Sequence, residues 1–137
     1  YRLYSAPQTL PKALMDAPKL QKIVVSALED MKGVDIEVLN TSKLTPLFER
    51  MVIVSATSNR HAKSLAQNVQ DKVREAGAGV VSVEGGDSGE WVLVDLGDII
   101  VHVMLPAVRA YYKLEELWKA SPSGKRVKTE QADSPQE

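Results

Sequence analysis

The sequence predicts an α/β domain: a mixed five-stranded sheet with two main flanking helices and a short C-terminal helix. Three observations carry that expectation. Two stretches repeat apolar residues at helical spacing, short alternating or continuous apolar runs precede and follow the second of them, and glycine or proline marks most junctions. At 137 residues and 44% hydrophobic content, the chain can bury one core without metal or disulfide staples.

The first helix is written in Leu20, Ile23, Val24, Ala27, Leu28 and Met31, which recur at i, i+3, i+4, i+7, i+8 and i+11. Asp16 and Pro18 stand at its N-cap and first turn, and Gly33 at the position of a C-terminal glycine. Residues 35–39 alternate polar and apolar as a half-buried strand does, and Met51-Val-Ile-Val is a continuous run suited to a strand covered on both faces. Asn40 to Arg50, with Pro46 inside, is the loop between them.

Ser55 to Asn59 supplies N-cap residues for a second helix, whose stripe is Ala62, Leu65, Ala66, Val69, Val73 and Ala76 and whose end is marked by Gly77 and Gly79. Val80 to Val83 resumes as strand, so Met51 to Val83 reads as a β-α-β unit with parallel strands and a right-handed crossover. Glu90 to Asp95 and Asp98 to Met104 follow as a hairpin turning at Leu96-Gly97. Pro106 ends the last strand, and Val108, Tyr111, Leu114, Leu117 and Trp118 mark one final helix. This divides the chain into an N-terminal extension (residues 1–18, with Met15 a candidate natural start), a folded domain (19–120), and a polar tail (121–137) expected to be disordered.

Composition removes several classes of function. Seventeen Lys and Arg against eighteen Asp and Glu leave a net charge of −1, without the broad basic surface that dominant nucleic-acid binding requires. With no cysteine, a thiolate zinc site, an iron–sulfur cluster and a cysteine nucleophile are excluded, and a cytoplasmic setting fits. The longest apolar run, Ile99 to Leu105, contains His102 and is far short of the ~20 residues of a membrane span. No metal site or cofactor is expected.

The most informative segment is Val80 to Val108, which holds Glu84, Asp87, Glu90, Asp95 and Asp98 and no lysine or arginine. If Asp95 opposes Asp98 across the turn, Leu93 opposes Ile100 and Trp91 opposes His102, while Val92, Val94, Ile99 and Val101 form an aliphatic core face. The other face then carries Trp91, Leu93, Asp95, Asp98, Ile100, His102 and Met104, a mixture suited to a partner rich in Lys and Arg. Two readings stand for Trp91 and His102: exposed contacts, or core beneath the final helix. In that helix Arg109, Tyr112 and Glu115 follow at i, i+3 spacing, which brings them onto one side, with Tyr111, Leu114 and Trp118 toward the core.

Other constellations weigh less. The strand-to-helix junction Ser55-Ala-Thr-Ser-Asn-Arg-His61 could hold an anion, but it lacks the glycines of nucleotide-binding loops, and capping by Thr57, Ser58 or Asn59 is the better account. Ser55 or Ser58 with His61 has no nucleophile elbow, and Asp95 with Asp98 suits a turn better than a magnesium site.

Thr57-Ser-Asn-Arg-His61, Glu84-Gly85, the run from Trp91 through Gly97-Asp98 to His102-Val103, and the Tyr112-Lys-Leu-Glu-Glu-Leu-Trp118 helix together resemble the ribosomal silencing factor, or Iojap-related, family. The resemblance covers about Leu20 to Trp118; residues 1–14 and the tail show no counterpart. It implies a nucleotidyltransferase-like fold without catalytic residues. It also implies a translation repressor that binds the large ribosomal subunit through its fourteenth ribosomal protein and blocks joining of the small subunit under nutrient limitation. The partner-binding residues would be Trp91, Asp95, Asp98, His102, Arg109, Tyr112 and Glu115, with a homodimer when free. Two alternatives remain: a metal-dependent enzyme on a nucleotidyltransferase fold, and a homodimeric protein-binding adaptor.

Overall fold

A computed structural model describes residues 15–119. The expectations for residues 1–14 and for the tail lie outside the described residues. Residues 15–18 belong to the folded unit, since Met15 and Ala17 are buried and Met15 packs into the main core.

Helix α1 (Ala17–Asp30) starts where the sequence places it: Asp16 is the N-cap and its carboxylate accepts the Lys19 N–H at 3.0 Å. Its end differs. The left-handed residue is Lys32, at φ 60°, whereas Gly33 donates its N–H to Leu28 O at 2.8 Å and lies against the sheet. A Cβ at Gly33 would come within 2.7 Å of Val54 Cγ2, so glycine is required there for close approach rather than for backbone handedness.

Strand β1 (Val34–Asn40) pairs antiparallel with β2 (Arg50–Ser55), with a bulge between Val34 and Glu37 and Asp35 at φ 50°. Helix α2 (Asn59–Glu75) is capped by Ser58, whose Oγ accepts the His61 N–H at 3.0 Å, and it buries Ala62, Leu65, Ala66, Val69 and Val73 as the periodicity demands. Three short strands follow: β3 (Ser82–Glu84), β4 (Trp91–Asp95) and β5 (Ile99–Met104).

The sheet order is β1-β2-β5-β4-β3, with β2 and β5 parallel and the other neighbours antiparallel. The β-α-β reading of Met51 to Val83 holds for strand direction, though the two strands are not neighbours. β2 and β3 do run in the same direction, but β5 and β4 lie between them, because the hairpin fills the space that α2 crosses.

The hairpin register is two residues away from the expected one. Trp91 opposes Met104, Leu93 opposes His102 and Asp95 opposes Ile100. The turn is Gly97-Asp98, closed by Leu96 N–H to Ile99 O at 2.9 Å, with Gly97 at φ 91°. Asp95 and Asp98 thus do not oppose each other. A slip of two preserves side-chain parity, so the predicted faces survive. Val92, Val94, Ile99, Val101 and Val103 join Val52 and Val54 in the core under α1 and α2.

The other face of the sheet is only partly covered. A second cluster of Met51, Ile53 and Met104 is overlaid by Leu39, Phe48, Trp91, Val108, Leu114 and Trp118. The final helix is two helices, α3 (Pro106–Tyr112) and α4 (Leu114–Lys119), separated by Lys113 in the left-handed conformation at φ 51°. The break turns Val108, Leu114 and Trp118 inward and leaves Tyr111 and Leu117 exposed, contrary to the single stripe.

The end of α1 makes opposite demands at adjacent positions, so substitutions there should act oppositely. Lys32→Gly should stabilise the domain by about 1 kcal/mol by relieving a left-handed side chain. Gly33→Ala should destabilise it by about 1–3 kcal/mol through overpacking on Val54. Equilibrium urea unfolding of the two variants checks both signs.

Candidate functional site

The uncovered part of the second sheet face lies over β4 and β3. Across the strands, Glu84, Leu93, His102, Ile53 and Glu37 form one row, and Ser82, Asp95, Ile100, Met51 and Leu39 the next. α3 and α4 lie over the β1–β2–β5 end of these rows. Leu93, Asp95 and Ile100 stay half-buried at the open end, and Glu84 is exposed beside them.

Trp91 forms the border between covered and open halves. Tyr112 at the end of α3 stacks on it, with ring centroids 4.8 Å apart and planes inclined at 48°, and Tyr111 meets Tyr112 edge-on at 4.9 Å. Tyr111 is 80% exposed and Tyr112 53%, so an aromatic pair stands out beside the acidic strand edge. Asp95 Oδ1 accepts the Gly97 N–H at 2.8 Å, bracing the turn, and the Asp98 carbonyl accepts the N–H groups of Glu49 and Arg50 at 2.7 and 3.1 Å.

His102 settles on the core reading. It is 6% exposed, and its Nδ1 accepts the Trp91 Nε1–H at 3.0 Å. Burial lowers its pKa from 6.5 to about 4, because the imidazolium would be desolvated. Trp91 itself is half-buried, part of the second cluster and part of the surface.

Arg109, Tyr112 and Glu115 do not share one side. Tyr112 lies over β4, while Arg109 and Glu115 lie against β1 at the opposite part of the sheet. Arg109 Nη1 donates to Asp35 O at 2.8 Å and to Ser55 Oγ at 2.9 Å, Nε donates to Glu115 Oε2 at 3.2 Å, and Nη2 is 3.5 Å from Glu37 Oε1. The cause is the break at Lys113, which rotates α4 so that Glu115 returns toward the guanidinium six residues earlier. A cleft of about 670 Å³ opens beside this cluster, between β1 and α3–α4. The partners of Arg109 at Asp35, Glu37 and Ser55 were not foreseeable: the first depends on a left-handed aspartate in a bulge, and none is near Arg109 in sequence.

The Ser55–His61 junction is occupied by internal bonds. The Thr57 N–H donates to His61 Nδ1 at 2.9 Å, which leaves Nε2–H to donate to Met31 O at 2.7 Å. His61 thereby joins the end of α1 to the start of α2, and Ser58 is the cap. Among the described residues, no three His, Asp or Glu side chains are grouped as a metal-ligand set, and no helix is long and apolar enough to cross a membrane.

Two buried groups generate expectations. The unfolded chain takes up a proton at His102 before the folded chain does, so this contribution to stability is complete above pH 6.5 and is lost as pH falls to about 4. Relative to His102→Asn, the parent should lose about 3 kcal/mol between pH 7 and pH 4, measured by urea unfolding at each pH. Arg109→Ala should cost about 3 kcal/mol, because Glu37 and Glu115, with side chains 21% and 19% exposed, lose their cation. Arg109→Lys should recover little, since one ammonium cannot replace the fork; thermal unfolding of both variants provides the check.

Comparison with known proteins agrees with this architecture. A family model described as "Ribosomal silencing factor during starvation" matches residues 14–137, extending beyond the Leu20–Trp118 span read from the motifs. The ribosomal silencing factor of Chromobacterium violaceum is 57% identical over 104 residues, covering 76% of this chain and 85% of its own. A mouse protein named for mitochondrial assembly of the ribosomal large subunit is 31% identical over 99 residues, 70% of this chain and 43% of its own. A crystal structure of a Chromobacterium violaceum protein superposes with a TM-score of 0.75 at 51% identity, over 86% of this chain and 95% of that one. With a family match over nearly its whole length and a relative this similar, the chain belongs to the ribosomal silencing factor (Iojap-related) family.

Proposed function

We propose that this chain represses translation in the cytoplasm by binding the large ribosomal subunit through its fourteenth ribosomal protein and excluding the small subunit by bulk. The observation that carries the reading is the open sheet face: Trp91 and Tyr112 stand at one end of the β4–β5 hairpin, Asp95 lies farther along β4 and Asp98 in the turn at its other end, and the segment from Val80 to Val108 has no lysine or arginine. An aromatic anchor with an acidic rim suits a basic ribosomal protein. The mouse relative's name points to the same subunit. Trp91, Asp95, Asp98 and Tyr112 make the contacts, while His102, Arg109 and Glu115 act from behind them by fixing Trp91 and the short helices. In the free chain, the exposed Tyr111, Tyr112 and Leu117 favour a homodimer that the subunit would displace.

The mechanism requires no turnover. A domain of about 100 residues is roughly 25–30 Å across, large beside the close fit of two subunit surfaces. The enzyme alternative is disfavoured by geometry, since Asp95 faces Ile100 rather than Asp98 and the His61 ring is held by Thr57 and Met31.

Trp91→Ala, Asp98→Ala and Tyr112→Ala should each weaken cosedimentation with large subunits by about tenfold or more while the fold is kept. Trp118→Ala, which removes a ring packed on Phe48 at 5.6 Å, should instead lower the melting temperature. Added to separated subunits, the parent should lower light-scattering association in proportion to occupancy, without nucleotide. Normal joining at saturating occupancy would contradict steric exclusion, and loss of joining that persists after removal of the protein would indicate an enzyme.

A further inference from the structure

His102 is too buried, at 6% exposed, to touch a partner, yet its ring accepts the hydrogen bond of the Trp91 indole N–H. We propose that His102 is a positioning residue: by accepting the Trp91 Nε1–H it holds the indole in the orientation that supports Tyr112 and presents the pair to the ribosomal partner. The proposal rests on the docking face described above.

Trp91 does not oppose His102 in the ladder; its cross-strand neighbour is Met104, and Leu93 opposes His102. The indole therefore reaches diagonally across the hairpin to place Nε1 at 3.0 Å from Nδ1, with ring centroids 5.9 Å apart and planes at 50°. An indole N–H only donates, so Nδ1 must be the unprotonated nitrogen, and the proton of the neutral ring resides on Nε2. Burial keeps the ring neutral and this lone pair available at physiological pH.

From there the contacts run outward in sequence. His102 holds Trp91, Trp91 packs on Tyr112 at 4.8 Å, and Tyr112 meets Tyr111 at 4.9 Å, while exposure rises from 6% at His102 to 53% and 80% at the two tyrosines. An indole at the rim of a sheet, covered on one side by a seven-residue helix, has other rotamers open to it. The bond to a buried acceptor selects one, so less side-chain freedom is left to lose on docking. A leucine at position 102 would fill space but could not direct the indole.

The test uses the full chain with His102→Leu, His102→Asn and Trp91→Phe. Asn places Oδ1 near the position of Nδ1 and so keeps the acceptor; Phe keeps a ring but has no N–H to give. The readouts are solvent exchange of the Trp91 indole N–H and the ring-shifted Tyr112 resonances by NMR, with cosedimentation on large subunits. His102→Leu should raise indole exchange at least about tenfold, move Tyr112 toward unfolded-chain shifts and weaken binding about tenfold, and His102→Asn should recover most of each loss. Should His102→Leu fail to fold, Trp91→Phe carries the comparison: it should lose the Tyr112 shifts and bind about tenfold more weakly. Unchanged Tyr112 shifts in the folded variants, or their loss with parental binding, overturns the positioning role. Trp91→Ala separates the two ideas: parental binding by that variant overturns the docking face itself, while the NMR comparison still decides whether His102 orients the indole.

Discussion

Helices of seven and six residues do not hold themselves together in water, and in this domain the Arg109 guanidinium fixes them. It joins α3 to the β1 bulge at Asp35 and Glu37, to the end of β2 at Ser55, and to α4 at Glu115. The left-handed Lys113 that separates the helices is what allows Glu115 to turn back. If α3 shifted, Tyr112 would leave Trp91, and Val108, Leu114 and Trp118 would leave the second cluster. The charged cluster over β1 and the aromatic pair over β4 are thus two ends of one rigid cover.

The two faces of the sheet follow different rules. Under α1 and α2 the contacts are aliphatic and many, so any one side chain is dispensable in kind though not in volume. Under α3 and α4 they are few, aromatic and hydrogen-bonded, and each has a stated geometry. The first face provides stability; the second holds a shape at the surface. A face built this way tolerates little rotation of its parts.

Much of this was legible from residue patterns. The Asp16 cap and the separation of β-branched from mixed residues in the hairpin depend on local spacing and appear as read, and so do the stripes of both main helices except at their last members, Met31 and Ala76, which sit at the C-caps and are exposed. The hairpin register did not, because Leu96-Gly97 and Gly97-Asp98 both offer a glycine to a two-residue turn, and only the pairing with β2 and β3 selects between them. The break at Lys113 left no signal, since lysine favours helices and its left-handed backbone is imposed by the Arg109–Glu115 contact on one side and Trp118 packing on the other. His102 could be read as contact or core, and only the three-dimensional pairing shows it buried with its ring bonded to the Trp91 indole.

The strand order has a consequence for how the chain is made. β5, the last strand in sequence, sits in the middle of the sheet, between β2 some fifty residues earlier and the β4–β3 ribbon. Until Met104 has been synthesised, β1–β2 and β3–β4 are separate ribbons with open edges and α2 lies over a gap. Closing that gap joins both halves in a single late event of long sequence separation. A nascent chain shorter than this has no complete hydrophobic layer to bury, so the domain is acquired as a whole near the end of its own translation.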